Sequence, residues 1–137
     1  AEGPPGLEVW ATDVSAPALE LAGANVQSFA VANPAAAARL HLSAGSWFEA
    51  LPDSLRGAVD LVVSNPPYVS ESEWSTLPTD VRHHDPYGAL VAGPSGLEAT
   101  DHIVAEASRW MSAHGVLVLE LAPHHATEAA DLATGAG

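Results

Sequence analysis

Two residue types are missing from this sequence of 137 residues: it contains no cysteine and no lysine, so its four basic side chains are all arginines. Without cysteine the chain has no disulfide framework, no thiolate metal site and no thiol nucleophile. The absence of cysteine is compatible with a reducing compartment, and we expect a cytoplasmic protein.

Positive charge is scarce in general. The chain has four arginines and 17 aspartates and glutamates, which gives a formal net charge of −13. Such a chain repels phosphate backbones and anionic lipids, so unaided binding to nucleic acid or to a membrane surface is disfavoured. The sequence also has no apolar run of about 18 residues and no basic-then-apolar start, so it predicts neither a membrane span nor a secretory signal.

Apolar residues are plentiful by contrast. They make up 47% of the chain, and only 15% of the residues are charged. This composition predicts a packed core rather than a disordered chain. The length corresponds to one domain or part of one and is too short for two separately cored domains.

The first half of the chain alternates between strand and helix patterns. A short apolar run ends at Asp13, Ser15 is a good N-cap, and apolar residues at helical spacing predict a helix over about Ala16–Ala30. A short strand is expected at about Arg39–Ser43. The run Val59–Ser64 reads as a strand that is buried on both faces of a parallel sheet.

The second half contains one long polar stretch between two regular elements. Val69–Gly96 has no sustained period, and connections of this length are more often functional than passive. A helix with Trp110 in its core-facing stripe is predicted from Leu97 to about Ala113, with Gly115 as its C-cap. A strand over Val116–Leu121 follows, and the tail from Thr127 reads as the start of another helix.

This order of elements, β-α-β-β-loop-α-β, predicts an α/β domain with a mostly parallel sheet. In such folds ligands bind at the carboxyl ends of the strands, where an acid accepts hydrogen bonds from ribose hydroxyls. Asp13 has that position. It is equally suited to helping Ser15 cap the following helix, and the sequence alone leaves both readings open.

A second and more specific feature is Asn65-Pro66-Pro67-Tyr68, directly after the strand Val59–Ser64. Two consecutive prolines remove two backbone donors, so carbonyls of this turn are left to accept hydrogen bonds from another molecule. Asn65 adds a side-chain acceptor and Tyr68 an aromatic face. A planar NH2 group would find two acceptors and a stacking surface here. The alternative is an ordinary strand-ending turn.

These residues resemble a known family. Asn65-Pro66-Pro67-Tyr68 matches the signature of S-adenosylmethionine-dependent methyltransferases that act on amide or exocyclic amino nitrogens, and the flanking segments are similar to the HemK/PrmC family, the protein-glutamine N5-methyltransferases of peptide chain release factors. The resemblance extends from about Val9 to His124. The flanking segments are Ser46-Trp47-Phe48-Glu49-Ala50-Leu51, Asp80-Val81-Arg82, Asp85-Pro86, Ala89-Leu90-Val91-Ala92, Ser95-Gly96-Leu97 and Gly115-Val116-Leu117-Val118-Leu119-Glu120.

The resemblance implies roles for individual residues. Asp13 would bind the cofactor ribose, and the segment Ser46-Trp47 would border the adenine, although Ser46 stands where the family usually has an acid. Asn65 would hold the substrate glutamine amide with help from the Pro66 carbonyl, and would also lie beside the cofactor. Tyr68, with Pro67 before it, would pack on the substrate. The implied fold is the Rossmann-like, doubly wound methyltransferase fold.

The resemblance also implies that a part of the catalytic domain is absent. The family opens with a strand and a Gly-rich loop that cradles the methionine part of S-adenosylmethionine, whereas only residues 1–6 precede the strand that ends at Asp13. We therefore expect residues 1–137 to be a partial catalytic domain. Two alternatives remain: an N6-adenine methyltransferase of RNA or DNA, and a noncatalytic α/β fragment without cofactor binding.

No metal site is expected from the histidines. His83-His84 and His124-His125 are adjacent pairs, which do not share a face of a regular helix or strand, and no third ligand is spaced in sequence to join either pair. Glu73 is expected on a solvated loop.

Overall fold

A computed structural model describes residues 6–136. Its internal contacts divide the chain into two compact units, Ala1–Asp53 and Ser54–Gly137, called here the first and the second unit. The sequence length led us to expect a single core, and an extended set of buried residues is found in the second unit only. The chain is an α/β protein with short parallel strands.

The first unit consists of two parallel strands and the helices between them. Its elements are β1 (Val9–Asp13), α1 (Ala16–Ala32), α2 (Pro34–Ala37), β2 (Leu40–Ala44) and a 3-10 turn at Trp47–Ala50. The predicted helix and its cap are confirmed: the Ser15 hydroxyl accepts a hydrogen bond from the Ala18 amide at 3.3 Å. The helix runs two residues further than predicted, to Ala32, and is capped by Asn33, whose backbone N–H bonds to the Phe29 carbonyl.

The second unit holds the remaining four strands. Its elements are β3 (Val59–Ser64), β4 (Val69–Ser70), α3 (Thr79–His84), α4 (Tyr87–Leu90), β5 (Val91–Gly93), α5 (Glu98–Trp110), β6 (Met111–Leu119) and α6 (Ala126–Ala136), with 3-10 turns at Asp53–Leu55, Trp74–Thr76 and Pro123–His125. The strand at Val59–Ser64 has the predicted bounds. The helix expected from Thr127 is present as α6.

Two parallel pairs make up the strands of this unit, β3 with β6 and β4 with β5. The long polar stretch is thus not a plain loop, because it contains β4, α3, α4 and β5. These elements are two to six residues long. Elements of that length are too short to leave a periodic hydrophobic pattern.

The predicted end of the long helix is wrong. The helix α5 stops at Trp110, and the chain enters β6 at Met111, so residues 111–113 are extended. The register with β3 shifts between Val59 and Leu61, where the partners jump from Met111 to Val116. Gly115 is therefore inside a bulged strand rather than at a helix C-cap. A Cβ there would lie 2.8 Å from the Val59 carbonyl oxygen, so the residue allows a close backbone approach.

The core of the second unit lies on the inner face of α5. Ile103 is 1% exposed and Trp110 is 2% exposed, which confirms Trp110 as a core residue. Val104, Ala107 and the α6 residue Ala129 are buried as well. No helix in the part of the chain that the structure describes is long and apolar enough to cross a membrane.

One face of the β3–β6 pair is open to solvent. Leu61 pairs with Val116 and Val63 with Val118 in the parallel register, and these four side chains are 48–68% exposed. The expectation that β3 is buried on both faces is therefore wrong for this chain. An apolar run shows that a strand has two apolar faces, but it does not show whether the chain itself covers both of them.

Candidate functional site

The first group of predicted site residues lies at the carboxyl ends of β1 and β2. Asp13 is the last residue of β1 and pairs with Ala44 at the end of β2. The Asp13 carbonyl accepts a hydrogen bond of 3.0 Å from the Gly45 amide. The turn that carries Ser46 and Trp47 is thereby fastened beside Asp13, so the structure brings the three predicted cofactor residues of the first unit together.

The Asp13 carboxylate has the first of the two roles between which the sequence could not choose, the support of the helix start, and the ribose role stays a prediction. Its Oδ1 accepts a hydrogen bond from the Ser15 amide at 2.8 Å, which supports the start of α1. The side chain is otherwise exposed, so Oδ2 faces solvent at the end of the strand. One carboxylate oxygen thus holds the turn at the start of α1.

Trp47 has an unusual backbone conformation. It is the one non-glycine residue with positive φ, +47°, within the described residues 6–136. Bulky residues rarely adopt this conformation, and such strain is concentrated at binding sites. The turn is also tight, since a Cβ on Gly45 would lie 2.9 Å from the Ala50 Cβ. Ser46 makes no side-chain cap hydrogen bond to this turn.

The second group of predicted residues follows β3 directly. The strand ends at Ser64, whose carbonyl accepts a hydrogen bond of 3.0 Å from the Glu120 amide after β6. Pro66 is fully buried and anchors the turn, whereas Asn65 is exposed. Among the residues that the structure describes, neither the Asn65 side chain nor the Pro66 carbonyl has a hydrogen-bond partner. Neither of the acceptors named in the sequence analysis is thus occupied by another described residue.

The Tyr68 carbonyl, in contrast, is occupied. It lies 3.2 Å from Nε2 of His125, and since a carbonyl only accepts, the imidazole donates. Gly96 lies against this hydrogen bond and leaves space for it. Its φ is +87°, and a Cβ there would lie 2.8 Å from both the Tyr68 oxygen and His125 Nε2. The sequence analysis missed the role of His125, which is 57 positions away from Tyr68 and has no local signal.

Glu98 is a further residue that the sequence analysis missed. Its carboxylate accepts hydrogen bonds from the Ser95 amide at 2.8 Å and the Gly96 amide at 3.0 Å, and the Ser95 hydroxyl accepts from the Leu97 amide. The backbone N–H of Ser95 is the largest cause that lowers the pKa of Glu98. The signal was present in the sequence, because Ser95-x-x-Glu98 before an apolar helix is a capping-box pattern.

Glu73 is more constrained than a solvated loop residue. Its Oε2 accepts hydrogen bonds from the Ser70 amide at 3.0 Å and from the Ser70 hydroxyl at 2.7 Å. These bonds, the backbone one first, lower the pKa of Glu73, and the histidines His124 and His125 lower it further. Glu73 Oε1 lies 3.6 Å from His124 Nε2. A third side chain therefore does join the His124-His125 pair, contrary to expectation.

The structure divides the predicted site residues between the two units. Asp13, Ser46 and Trp47 lie together in the first unit, and Asn65, Pro66, Pro67 and Tyr68 form one turn of the second. Each group occupies the carboxyl end of a parallel strand pair, which is the position that the α/β class uses for ligands.

Comparison with known proteins shows which proteins this chain is similar to. The chain is 40% identical over 117 residues to a release factor glutamine methyltransferase of Gloeobacter violaceus, a match that covers 85% of this chain and 38% of the relative. It is 40% identical over 128 residues to the protein of the same name from Nitratidesulfovibrio vulgaris, covering 93% of this chain and 41% of that relative. The resemblance to the HemK/PrmC family is confirmed.

A second kind of relative is equally similar. A ribosomal protein uL3 glutamine methyltransferase of Bordetella pertussis is 42% identical over 117 residues, covering 85% of this chain and 36% of the relative. No protein-family model matches the chain.

The chain spans about two fifths of the length of the curated relatives it matches, and the matched region is their C-terminal part. The alternative of an N6-adenine methyltransferase is not favoured.

Proposed function

We propose that this chain provides the acceptor turn and part of the cofactor site of an S-adenosylmethionine-dependent methyltransferase that methylates the side-chain amide nitrogen of a glutamine in a peptide chain release factor. The observation that carries the proposal is the turn after β3. It presents an exposed Asn65 side chain and the Pro66 carbonyl without partners among the described residues. An amide NH2 group has two hydrogens to donate to this pair.

Asn65 and Pro66 suit an amide substrate for a physical reason. The lone pair of an amide nitrogen is delocalised, so the nitrogen is a poor nucleophile. Two acceptors that each bind one N–H favour a pyramidal nitrogen and direct its lone pair to one side. Such preorganised dipoles and orientation accelerate a reaction without a strong base. Tyr68, half-buried beside the turn, would pack on the substrate together with Pro67.

The residues of the first unit fit S-adenosylmethionine, which would supply the sulfonium-bound methyl group. The exposed oxygen of Asp13 suits a ribose hydroxyl, and the strained turn at Trp47 suits the border of an adenine, with Ser46 beside it. Asn65 would also contact the cofactor from the acceptor turn. We propose the doubly wound methyltransferase sheet as the arrangement of the complete domain, with residues 1–137 as a partial catalytic domain.

A protein substrate is consistent with the charge of the chain. A net charge of −13 disfavours direct binding of nucleic acid and does not oppose a protein acceptor with a basic surface. Both release factors and uL3 occur in the names of the relatives. Proteins of translation work in the cytoplasm, and an enzyme that methylates them would meet them there. We therefore propose a cytoplasmic location for this protein.

The test is a methyl-transfer assay with three acceptors: a release factor, uL3 and an adenine-containing RNA. The assay uses a chimera in which this chain replaces the matching C-terminal segment of the Gloeobacter violaceus relative. The rest of the relative is kept because the match covers only 38% of its length. Transfer of labelled methyl from S-adenosylmethionine is measured, and the labelled residue is identified by mass spectrometry.

We expect labelled glutamine in the release factor and none in the RNA. Labelling of uL3 in preference to the release factor would support glutamine methylation but contradict the release factor as the substrate. Labelled adenine would contradict the proposal. A separate titration of the 137-residue chain with S-adenosylmethionine tests the noncatalytic alternative, since micromolar binding by the chain would exclude it.

A further inference from the structure

The side chains Glu73, His124 and His125, called here the Glu-His-His cluster, are joined in space within the second unit. Each side chain offers one ligand atom, and the three atoms lie within 4.8 Å of one another. The two imidazole rings are 4.1 Å apart and tilted by 49°. Adjacent histidines reach this arrangement because Pro123–His125 is a 3-10 turn rather than a strand or α-helix.

We propose that the Glu-His-His cluster is a binding site for a zinc-type divalent transition-metal ion. Two imidazoles and one carboxylate form a ligand set that zinc accepts, with water in the fourth position. Ligand atoms bound at about 2.0–2.2 Å in a tetrahedron lie about 3.3 Å apart, so the cluster needs to contract by roughly 1.5 Å at most. His124, 59% exposed at its side chain, is free to make that adjustment.

The surroundings of the cluster orient its ligands before a metal arrives. Nε2 of His125 donates to the Tyr68 carbonyl, which leaves Nδ1 as the ring nitrogen for a metal. Metal-bound histidines commonly make this kind of second hydrogen bond to a carbonyl. Ser70 holds Oε2 of Glu73 through its amide and hydroxyl, so Oε1 is directed to His124.

Charge favours a cation at this place. The chain as a whole carries −13, and Glu73 adds a carboxylate to the two imidazoles of the cluster. A bound ion would fasten the segment after the Asn65–Tyr68 turn to the segment after β6. The inference does not depend on the proposed methyl transfer, because it uses none of the residues assigned to that reaction as ligands.

The experiment uses the 137-residue chain, purified without a histidine tag and stripped of metal. Zn²⁺ binding is measured by calorimetric titration, with Mg²⁺ as a second probe that prefers oxygen ligands and keeps its waters. The test variants are His124→Ala and Glu73→Gln. The matched control is a chain with both His83→Ala and His84→Ala, because this second adjacent pair is exposed on α3 and belongs to no three-residue ligand group among the described residues.

We expect one Zn²⁺ per chain, no comparable binding of Mg²⁺, and a rise of Tm with Zn²⁺ concentration. Either test variant should weaken Zn²⁺ binding at least about tenfold, while the control pair retains the affinity. His124 is exposed, so loss of binding in His124→Ala is separable from misfolding by circular dichroism. Equal affinity of the original chain and His124→Ala, or an equal loss in the His83/His84 control, would overturn the proposal.

Discussion

His125 donates a hydrogen bond from Nε2 to the backbone carbonyl of Tyr68 over 3.2 Å, and thereby joins the turn after β3 to the turn after β6. His125 itself is 7% exposed, so the contact is protected from water. This part-buried hydrogen bond restrains the backbone of Tyr68. The orientation of the acceptor turn consequently depends on a residue far away in sequence.

Gly96 makes that contact possible, and its replacement should disturb it. Gly96→Ala is expected to lower the free energy of unfolding by about 1–3 kcal/mol, because φ is +87° and the new Cβ would lie 2.8 Å from the Tyr68 oxygen. Urea unfolding followed by circular dichroism measures the change. Gly88→Ala in α4 is the matched control: nothing lies within 4 Å of its Cβ position, so it should be neutral or slightly stabilising. Equal losses in both variants would contradict the account.

Replacement of Gly115 should destabilise the chain as much as replacement of Gly96, for a different reason. The new Cβ of Gly115→Ala would lie 2.8 Å from the Val59 carbonyl, at the register shift between β3 and β6. We expect a loss of about 1–3 kcal/mol in the free energy of unfolding. Urea unfolding with Gly135→Ala as control checks this, since the Cβ position at Gly135 is open. An unchanged stability for Gly115→Ala would show that the bulge does not require glycine.

Glu98 should contribute to stability in a pH-dependent way. Its pKa is lowered in the folded state, first by the hydrogen bond from the Ser95 amide, so the stabilisation is present above the pKa of the unfolded chain and is lost as pH falls through the lowered folded value. Glu98→Gln should cost roughly 0.3–1 kcal/mol at neutral pH through loss of a charge at the start of α5. The variant and the original chain should converge in stability once the pH falls below the lowered pKa of Glu98 in the folded chain.

The comparison that measures this is urea unfolding at a series of pH values. Glu106→Gln is a suitable control, because Arg109 on the surface of the same helix is the one side chain that binds Glu106 within residues 6–136. A constant difference between Glu98→Gln and the original chain from pH 7 to pH 3 would contradict the assignment.

Asp13 tests the cofactor side of the site. Asp13→Asn keeps a side-chain oxygen for the Ser15 amide but removes the charge that a ribose hydroxyl would meet. We expect weaker S-adenosylmethionine binding, by about tenfold, with little change in Tm. Calorimetric titration of the chimera measures the affinity. Glu8→Gln is the control, since Glu8 precedes the same strand and pairs with His41. Unchanged binding in Asp13→Asn would remove Asp13 from the cofactor site.

Those parts of the fold that local patterns control could be predicted from the sequence. Ser15 fixed the start of α1, and the apolar run Val59–Ser64 defined β3. The unpartnered acceptors of the turn after β3 could be predicted because two adjacent prolines remove backbone donors, whereas the role of that turn in binding a substrate stays a prediction.

Long-range contacts account for what could not be predicted. Glu73 joins the two histidines, and His125 reaches Tyr68, only after the chain has folded. The end of α5 was misjudged because Met111 continues the helical apolar stripe, while pairing with Val59 in β3 draws it into a strand. Strand pairing of this kind overrides a local helical pattern.

The central claim is that Asn65 holds the amide that receives the methyl group, and Asn65→Ala in the chimera tests it most directly. Methyl transfer to the release factor and the Kd for S-adenosylmethionine are measured on the same preparation. Loss of one preorganised partner of the reacting group predicts a fall of about 10²–10³ in kcat, with a much smaller change in Kd because Asn65 is only one of the proposed cofactor contacts. Methylation of the release factor by Asn65→Ala at the original rate would contradict the account.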